Sequence, residues 1–144
     1  MGAVGLDDIL LTPLERIFVS GGDVLRGLKS SDPGYSGFGE VYCSFITEGT
    51  VKAWKRHTEM VMNLVVPFGM VRFVFFQEGL DGFRVEDVGS TRYCRLTIPP
   101  GLWFGFQGLA EPQSLVLNIA SVPHEPREAE RMAVSEVEYD WSTR

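Results

Sequence analysis

Eight short runs rich in Val, Ile, Phe and Tyr, each closed off by Gly, Pro or Asp, set the strongest limit on what this chain can become. They are Arg16–Ser20, Glu40–Thr47, Val51–His57, Met60–Val66, Met70–Gln77, Gly82–Val88, Tyr93–Ile98 and Ser114–Ala120. β-Branched and aromatic side chains fit a pleated, half-buried surface, and turn residues at such intervals fold the chain back on itself. The spacing predicts an all-β sandwich or barrel. Thr47-Glu-Gly-Thr50 and Pro67-Phe-Gly69 read as two of the tight turns. No 11-residue window before Pro126 carries a helical period. From Pro126 to Ala133, where Glu and Arg dominate, a short helix or turn is expected.

At 144 residues the chain has the size of one domain, expected to run from 1 to 144 around one core. Its net charge of −6 argues against nucleic acid, whose partners carry a basic stripe. No run reaches the ~18 apolar residues of a membrane span. Met1 to Leu11 has no Lys or Arg and carries Asp7 and Asp8, which a signal peptide would not. A cytoplasmic protein is expected. Cys43 and Cys94 sit in apolar runs and read as reduced core thiols. Ser30–Gly37 is a loop by composition, expected over the barrel mouth or against a partner chain. Phe73, Phe75, Phe76, Trp103, Phe104 and Phe106 form an aromatic stripe that reads first as core and second as a stacking surface for a ring-shaped ligand.

Val51-Lys-Ala-Trp-Lys-Arg-His57 resists a bland account. Strict alternation puts Val51, Ala53, Lys55 and His57 on one face and Lys52, Trp54 and Arg56 on the other. If Ala53 faces the barrel, so do Lys55 and His57, and a Lys in a low-dielectric interior is pulled toward the range where it can act as a base. Alternation alone leaves the reverse open, with Trp54 in the core, Lys55 in water and His57 satisfied at the rim. No Gly-x-Ser-x-Gly elbow is present, neither Cys has a His nearby in sequence, and Gly101-Leu-Trp-Phe-Gly105 lacks the strand–turn–helix context of a phosphate loop.

At this stretch the sequence resembles the dTDP-4-dehydrorhamnose 3,5-epimerase family. Phe38 to His57 lines up without gaps on the family segment ending Arg-Gly-Leu-His-Tyr-Gln. Pro99-Pro-Gly-Leu-Trp-Phe-Gly-Phe106 is similar to its Pro-x-Gly-x-x-His-Gly-Phe turn. Ser121-Val-Pro-His-Glu-Pro-Arg-Glu128 and Tyr139-Asp-Trp141 are similar to its closing Tyr-x-Pro-x-x-Glu and terminal Trp. The resemblance implies a cupin jelly-roll barrel, a homodimer that exchanges N-terminal strands, and a nucleotide-sugar ligand. It maps the family's basic His onto Lys55, its phosphate-binding Arg onto Lys52, the His of the turn onto Phe104, its Tyr acid near Leu117 and a Lys near Met62. Ser44 matches a ligand-lining Ser, and Glu40 replaces a Gln. Cupin metal sites need three nitrogen ligands, whereas this chain has only His57 and His124. Neither a metal nor another cofactor is expected.

Two functions follow. In the first, a nucleotide-linked 4-keto-6-deoxy sugar is epimerised or isomerised. Lys55 is the base and His57 or Tyr42 the acid or orienter. Lys52, Arg56 and Arg72 hold the diphosphate, Trp54 or Trp103 stacks the nucleobase, and Glu40, Ser44 and Phe104 line the site. In the second, the same barrel binds a sugar nucleotide, or serves a partner enzyme, without catalysis.

Overall fold

The computed structural model describes residues 3–143. Twelve strands form: β1 (Leu10–Pro13), β2 (Arg16–Ile17), β3 (Val24–Leu25), β4 (Glu40–Thr47), β5 (Val51–His57), β6 (Met62–Phe68), β7 (Met70–Phe76), β8 (Arg84–Gly89), β9 (Cys94–Ile98), β10 (Trp103–Gly108), β11 (Gln113–Ala120) and β12 (Ala129–Arg131). Ten of them build two five-stranded sheets, ordered β1-β9-β6-β11-β4 and β12-β5-β10-β7-β8, and β2 pairs with β3 as a separate ribbon. Every strand pairing is antiparallel.

The two sheets face each other, and alternation decides what lies between them. Leu64 and Val66 of β6, Leu96 and Ile98 of β9, Val71, Phe73 and Phe75 of β7 and Phe104 of β10 belong to one buried cluster. Burying side chains of this size contributes roughly 1.5–3 kcal/mol each. The turn between β6 and β7 rests on Gly69, whose φ of 89° suits glycine and whose Cβ, if present, would lie 2.2 Å from Ser114 Oγ.

Strands β4 and β5 have the predicted bounds, and five other predicted strands end within two residues of expectation. The first predicted strand shrinks to Arg16–Ile17, while β1, β3, β10 and β12 were not anticipated. Residues 126–128 form a short 3-10 turn inside the expected segment, and the chain then runs on into β12.

Two expectations are corrected. Ser30–Gly37 does not cover the barrel mouth. It packs on the outer face of the first sheet, where the fully buried Arg95 donates to Gly27 O (2.7 Å) and Pro33 O (3.2 Å), and Asn63 Nδ2 donates to Gly34 O (3.0 Å). Arg95 is the physical reason, because a buried guanidinium needs acceptors and this loop supplies them. Cys94 is a core thiol, but Cys43 is exposed, on the outward side of edge strand β4. A second aromatic cluster lies behind the other sheet, where Met132, Val137, Tyr139 and Trp141 cover Trp54, Val74 and Trp103.

Candidate functional site

Strand β5 makes the site, and an extra residue in it decides which side chains look inward. Against β10, Lys55 pairs with Phe104 and Ala53 with Gly105, so Trp54 has no partner and the register shifts by one. Such a bulge swaps the faces beyond it. Lys52 and Lys55 therefore point to the same side, which strict alternation forbids. Gly105 permits the close approach: a Cβ there would sit 2.5 Å from Ala53 Cβ and 3.2 Å from Trp54 Cε3.

A cavity of about 290 Å³ opens between the sheets, lined on one wall by Lys52, Lys55, His57, Phe104 and Phe106, and on the other by Tyr42, Ser44, Val116 and Asn118. Arg131 and Met132 border it from the last strand and its continuation. Lys52 and Arg131 are exposed, which puts them at the rim. Lys52 Nζ donates to Phe45 O on the opposite sheet (2.8 Å).

His57 is buried, and its Nδ1 lies 2.6 Å from Glu128 Oε1. The other carboxylate oxygen of Glu128 accepts backbone N–H groups from Thr58 (3.1 Å), Glu59 (3.0 Å) and Met60 (2.8 Å). Burial of Glu128 works against its charge, but these N–H groups and His57 outweigh it and hold the carboxyl below its ordinary value. An ionised Glu128 accepts from Nδ1–H, which fixes the tautomer and leaves Nε2 as the basic nitrogen. Nε2 is itself buried and has no hydrogen-bond partner among the described residues.

Burial also lowers the His57 pKa, and the charges of Lys55 and Arg131 add to that, against the pull of Glu128. The Lys55 ammonium is likewise pushed down, first by burial and then by Arg131. The imidazole stacks on Phe104, with ring centroids 6.0 Å apart. On the facing wall, Asn118 Nδ2 donates to the Tyr42 hydroxyl (3.0 Å).

Of the residues singled out from the sequence, Lys55, His57, Tyr42, Lys52, Ser44 and Phe104 meet at this cavity. Four of the others lie away from it, and Trp54 only borders it. Arg56 lies on the outer face, paired with Glu78 and Glu130 and placed 4.8 Å over the Trp103 ring, because the bulge sends it outward with Trp103. Arg72 is outward too, bonded to Asp87 and to the Thr143 carbonyl. Trp54 borders the cavity, but its indole packs against Phe76, Tyr139 and Trp141, and Trp103 stacks on Phe76. Glu40 accepts from the His124 backbone N–H. Sequence reading missed Glu128 and Arg131 as site residues, although Glu128 closes one of the quoted motifs. It missed Asn118 as well, which carried no motif. Among the described residues no three His, Cys, Asp or Glu side chains come together as a metal cluster, and no helix is long and apolar enough to cross a membrane.

No family model matches the chain, and no curated protein does. Solved structures do. A dTDP sugar isomerase from Desulfovibrio desulfuricans G20 superposes with a TM-score of 0.89 at 32% identity, over 96% of this chain and 93% of that one. A dTDP-4-dehydrorhamnose 3,5-epimerase from Sulfolobus tokodaii gives 0.76 at 20% identity, over 96% and 84%. A mutant of QdtA, a 3,4-ketoisomerase from Thermoanaerobacterium thermosaccharolyticum in complex with TDP-4-keto-6-deoxyglucose, gives 0.75 at 16% identity, over 88% and 89%. The last two likenesses are of fold alone. The first extends to sequence along nearly the whole of both chains, so this double-sheet barrel with its interior cavity belongs to the dTDP-sugar isomerase family of cupins.

Proposed function

We propose that the protein isomerises a dTDP-linked 4-keto-6-deoxy sugar by removing a proton from the carbon beside the ketone, with His57 as the base. One observation carries this: a buried imidazole whose Nδ1 is held by Glu128 and whose buried Nε2 has no partner among the described residues, on a residue lining the cavity. A neutral imidazole with a carboxylate behind it can accept a proton and is stabilised once charged. Lys55 was the base expected from sequence, but the geometry favours His57. Burial pushes both groups toward their neutral forms, but only His57 has a carboxylate held against one ring nitrogen to stabilise it once charged. Lys55 instead faces the enolate oxygen and stabilises its developing charge.

A cavity of 290 Å³ is at the small end for ligand sites and suits the sugar ring rather than the whole nucleotide. Lys52 and Arg131 at the rim are the cations placed to meet the diphosphate, in a protein whose net charge is otherwise −6.

Incubation with dTDP-4-keto-6-deoxyglucose in heavy water is the test, read by NMR at the carbons flanking the ketone. Deuterium uptake is expected, reduced about tenfold or more in Lys55→Met. Tight binding with no uptake would favour a non-catalytic nucleotide-sugar module on the same barrel.

We also infer that two copies pair through the outer face of the first sheet. Val41, Phe45 and Phe68 are 47%, 59% and 59% exposed there, beside the half-buried Leu115, Leu117 and Ile119. An apolar face on a sheet edge is a liability unless something covers it, and the resemblance points to a second copy. Light scattering is expected to give twice the chain mass, falling to a monomer in Phe45→Glu. A wild-type monomer would end this reading.

A further inference from the structure

The extra residue of β5 is held from behind. Trp54 has no register partner on β10, yet it is only 1% exposed. A bulged residue drops out of its ladder, and buried backbone groups must then find partners elsewhere. Trp54 finds them in the segment that follows β12. Its N–H donates to Met132 O (3.0 Å), and Met132 N–H donates to Trp54 O (3.1 Å). The indole Nε1 donates to Val134 O (3.4 Å), and its ring centroid lies 5.4 Å from that of Trp141. Trp141 meets Tyr139 edge-on at 4.8 Å, and Tyr139 meets Phe83 at 4.9 Å. At the far end the Arg72 guanidinium donates to Thr143 O while its other side is bonded to Asp87. Residues 132–143 thus run as a strap over the outer face of the second sheet, tied at the bulge, in the aromatic cluster and at Arg72.

We propose that this strap sets the affinity for the diphosphate: by holding Trp54 in the bulge it keeps Lys52 turned to the cavity rim, with Trp141 as the positioning residue. The assignment rests on the reading of Lys52 as a diphosphate contact. Lys52 shares the inward face with Lys55 because Trp54 takes up one residue between them. Its ammonium, 2.8 Å from Phe45 O on the facing sheet, spans the mouth in one direction. Once Trp54 is loosened, the backbone at residues 52–54 is free to relax, and the long stem of an exposed lysine regains its rotamers.

His57 is anchored independently, through Glu128 to the backbone of residues 58–60. The strap therefore acts on binding and leaves proton removal alone, a separation that a general packing defect would not produce. Met132 makes the coupling run both ways, because it lines the cavity and also packs on the aromatic cluster. By reciprocity a bound nucleotide tightens the strap.

Two measurements on the intact protein test this, one of them without ligand. Acylation by an N-hydroxysuccinimide ester, read peptide by peptide, reports how freely the Lys52 ammonium moves, with exposed Lys29 as internal standard. In Trp141→Ala the Lys52 rate is expected to rise about threefold or more while the Lys29 rate stays constant. In calorimetric titration with dTDP, Lys52→Ala is expected to weaken binding about tenfold, Trp141→Ala about as much, and the double variant scarcely more than either. Deuterium uptake at saturating keto sugar should stay within about twofold of wild type in Trp141→Ala, and Trp141→Phe should recover most of the affinity. Additive losses of binding would overturn the assignment, as would a Lys52 acylation rate that Trp141→Ala leaves unchanged, or a fall in saturated uptake equal to the fall in affinity. Should Trp141→Ala not fold, Tyr139→Leu takes its place with the same outcomes counted for and against. Failure of the underlying reading looks different. Lys52→Ala alone would then bind dTDP as tightly as wild type, which removes the claim on affinity, and the acylation rate by itself would decide whether the strap holds Lys52.

Discussion

His57→Asn is expected to lower deuterium uptake into the keto sugar by about 10³-fold with little change in nucleotide binding. Asn keeps a polar side chain near Glu128 Oε1 and an approximate volume, but has no basic nitrogen to stand where Nε2 stands. General-base catalysis by a positioned imidazole contributes ~10²–10⁴-fold, and the loss of that whole term sets the size of the effect. Fluorescence or calorimetric titration with dTDP separates the outcomes, since Lys52 and Arg131 at the rim are untouched. A variant that still exchanges at a tenth of the wild-type rate would move the base to Lys55. The wild-type rate should also carry an acid limb below the usual histidine value of about 6.5, because burial holds the imidazole neutral to lower pH.

The second large effect is on stability as well as rate. Glu128→Gln removes the charge that accepts three backbone N–H groups and His57, and its amide nitrogen presents a donor to donors. Buried hydrogen bonds to a charged group contribute ~1.5–3 kcal/mol, and leaving their donors unmatched adds to the loss. A drop of roughly 2–4 kcal/mol is expected, on the order of 10 °C in melting temperature for a chain of this length. Uptake should fall about 10²-fold. The acid limb should move further down in pH, since Glu128 is what raises His57 against its burial.

The pH dependence of folding has the same origin. Both groups have folded pKa values below their ordinary ones, so both contribute stability that is present at neutral pH and lost on acidification. The loss begins near pH 6.5 for His57 and near 4.5 for Glu128, and each ends once the pH has passed below the folded value. In Glu128→Gln the lower portion should vanish from a plot of unfolding free energy against pH. A plot unchanged by the substitution would refute the coupling.

Much of the barrel was legible because period-two patterning is a local signal. The runs Glu40–Thr47 and Val51–His57 alternate between turns that themselves announce their ends, and the strands have those bounds. What failed was what local pattern does not encode. Residues 103–108 read as the tail of a Pro-Gly turn because two glycines and three aromatics give no alternation, yet they pair on both sides, with β5 and β7. The bulge at Trp54 depends on Gly105 in another strand, so no inspection of β5 alone could put Lys52 and Lys55 on one face. Trp54 and Trp103 looked like ligand contacts because the segment that covers them, residues 132–141, is distant in sequence. Glu128 was visible as a motif letter but not as the partner of a histidine 71 residues earlier.

That separation along the chain has a consequence for biosynthesis. The imidazole emerges from the ribosome with β5, but the carboxylate that orients it arrives only with the final strand, which must then zip onto the free side of β5. Both sheets can be largely assembled by residue 120 while the proposed proton-abstracting centre is still unmade. Competence is conferred last, so a chain interrupted before the closing ladder is an inert shell.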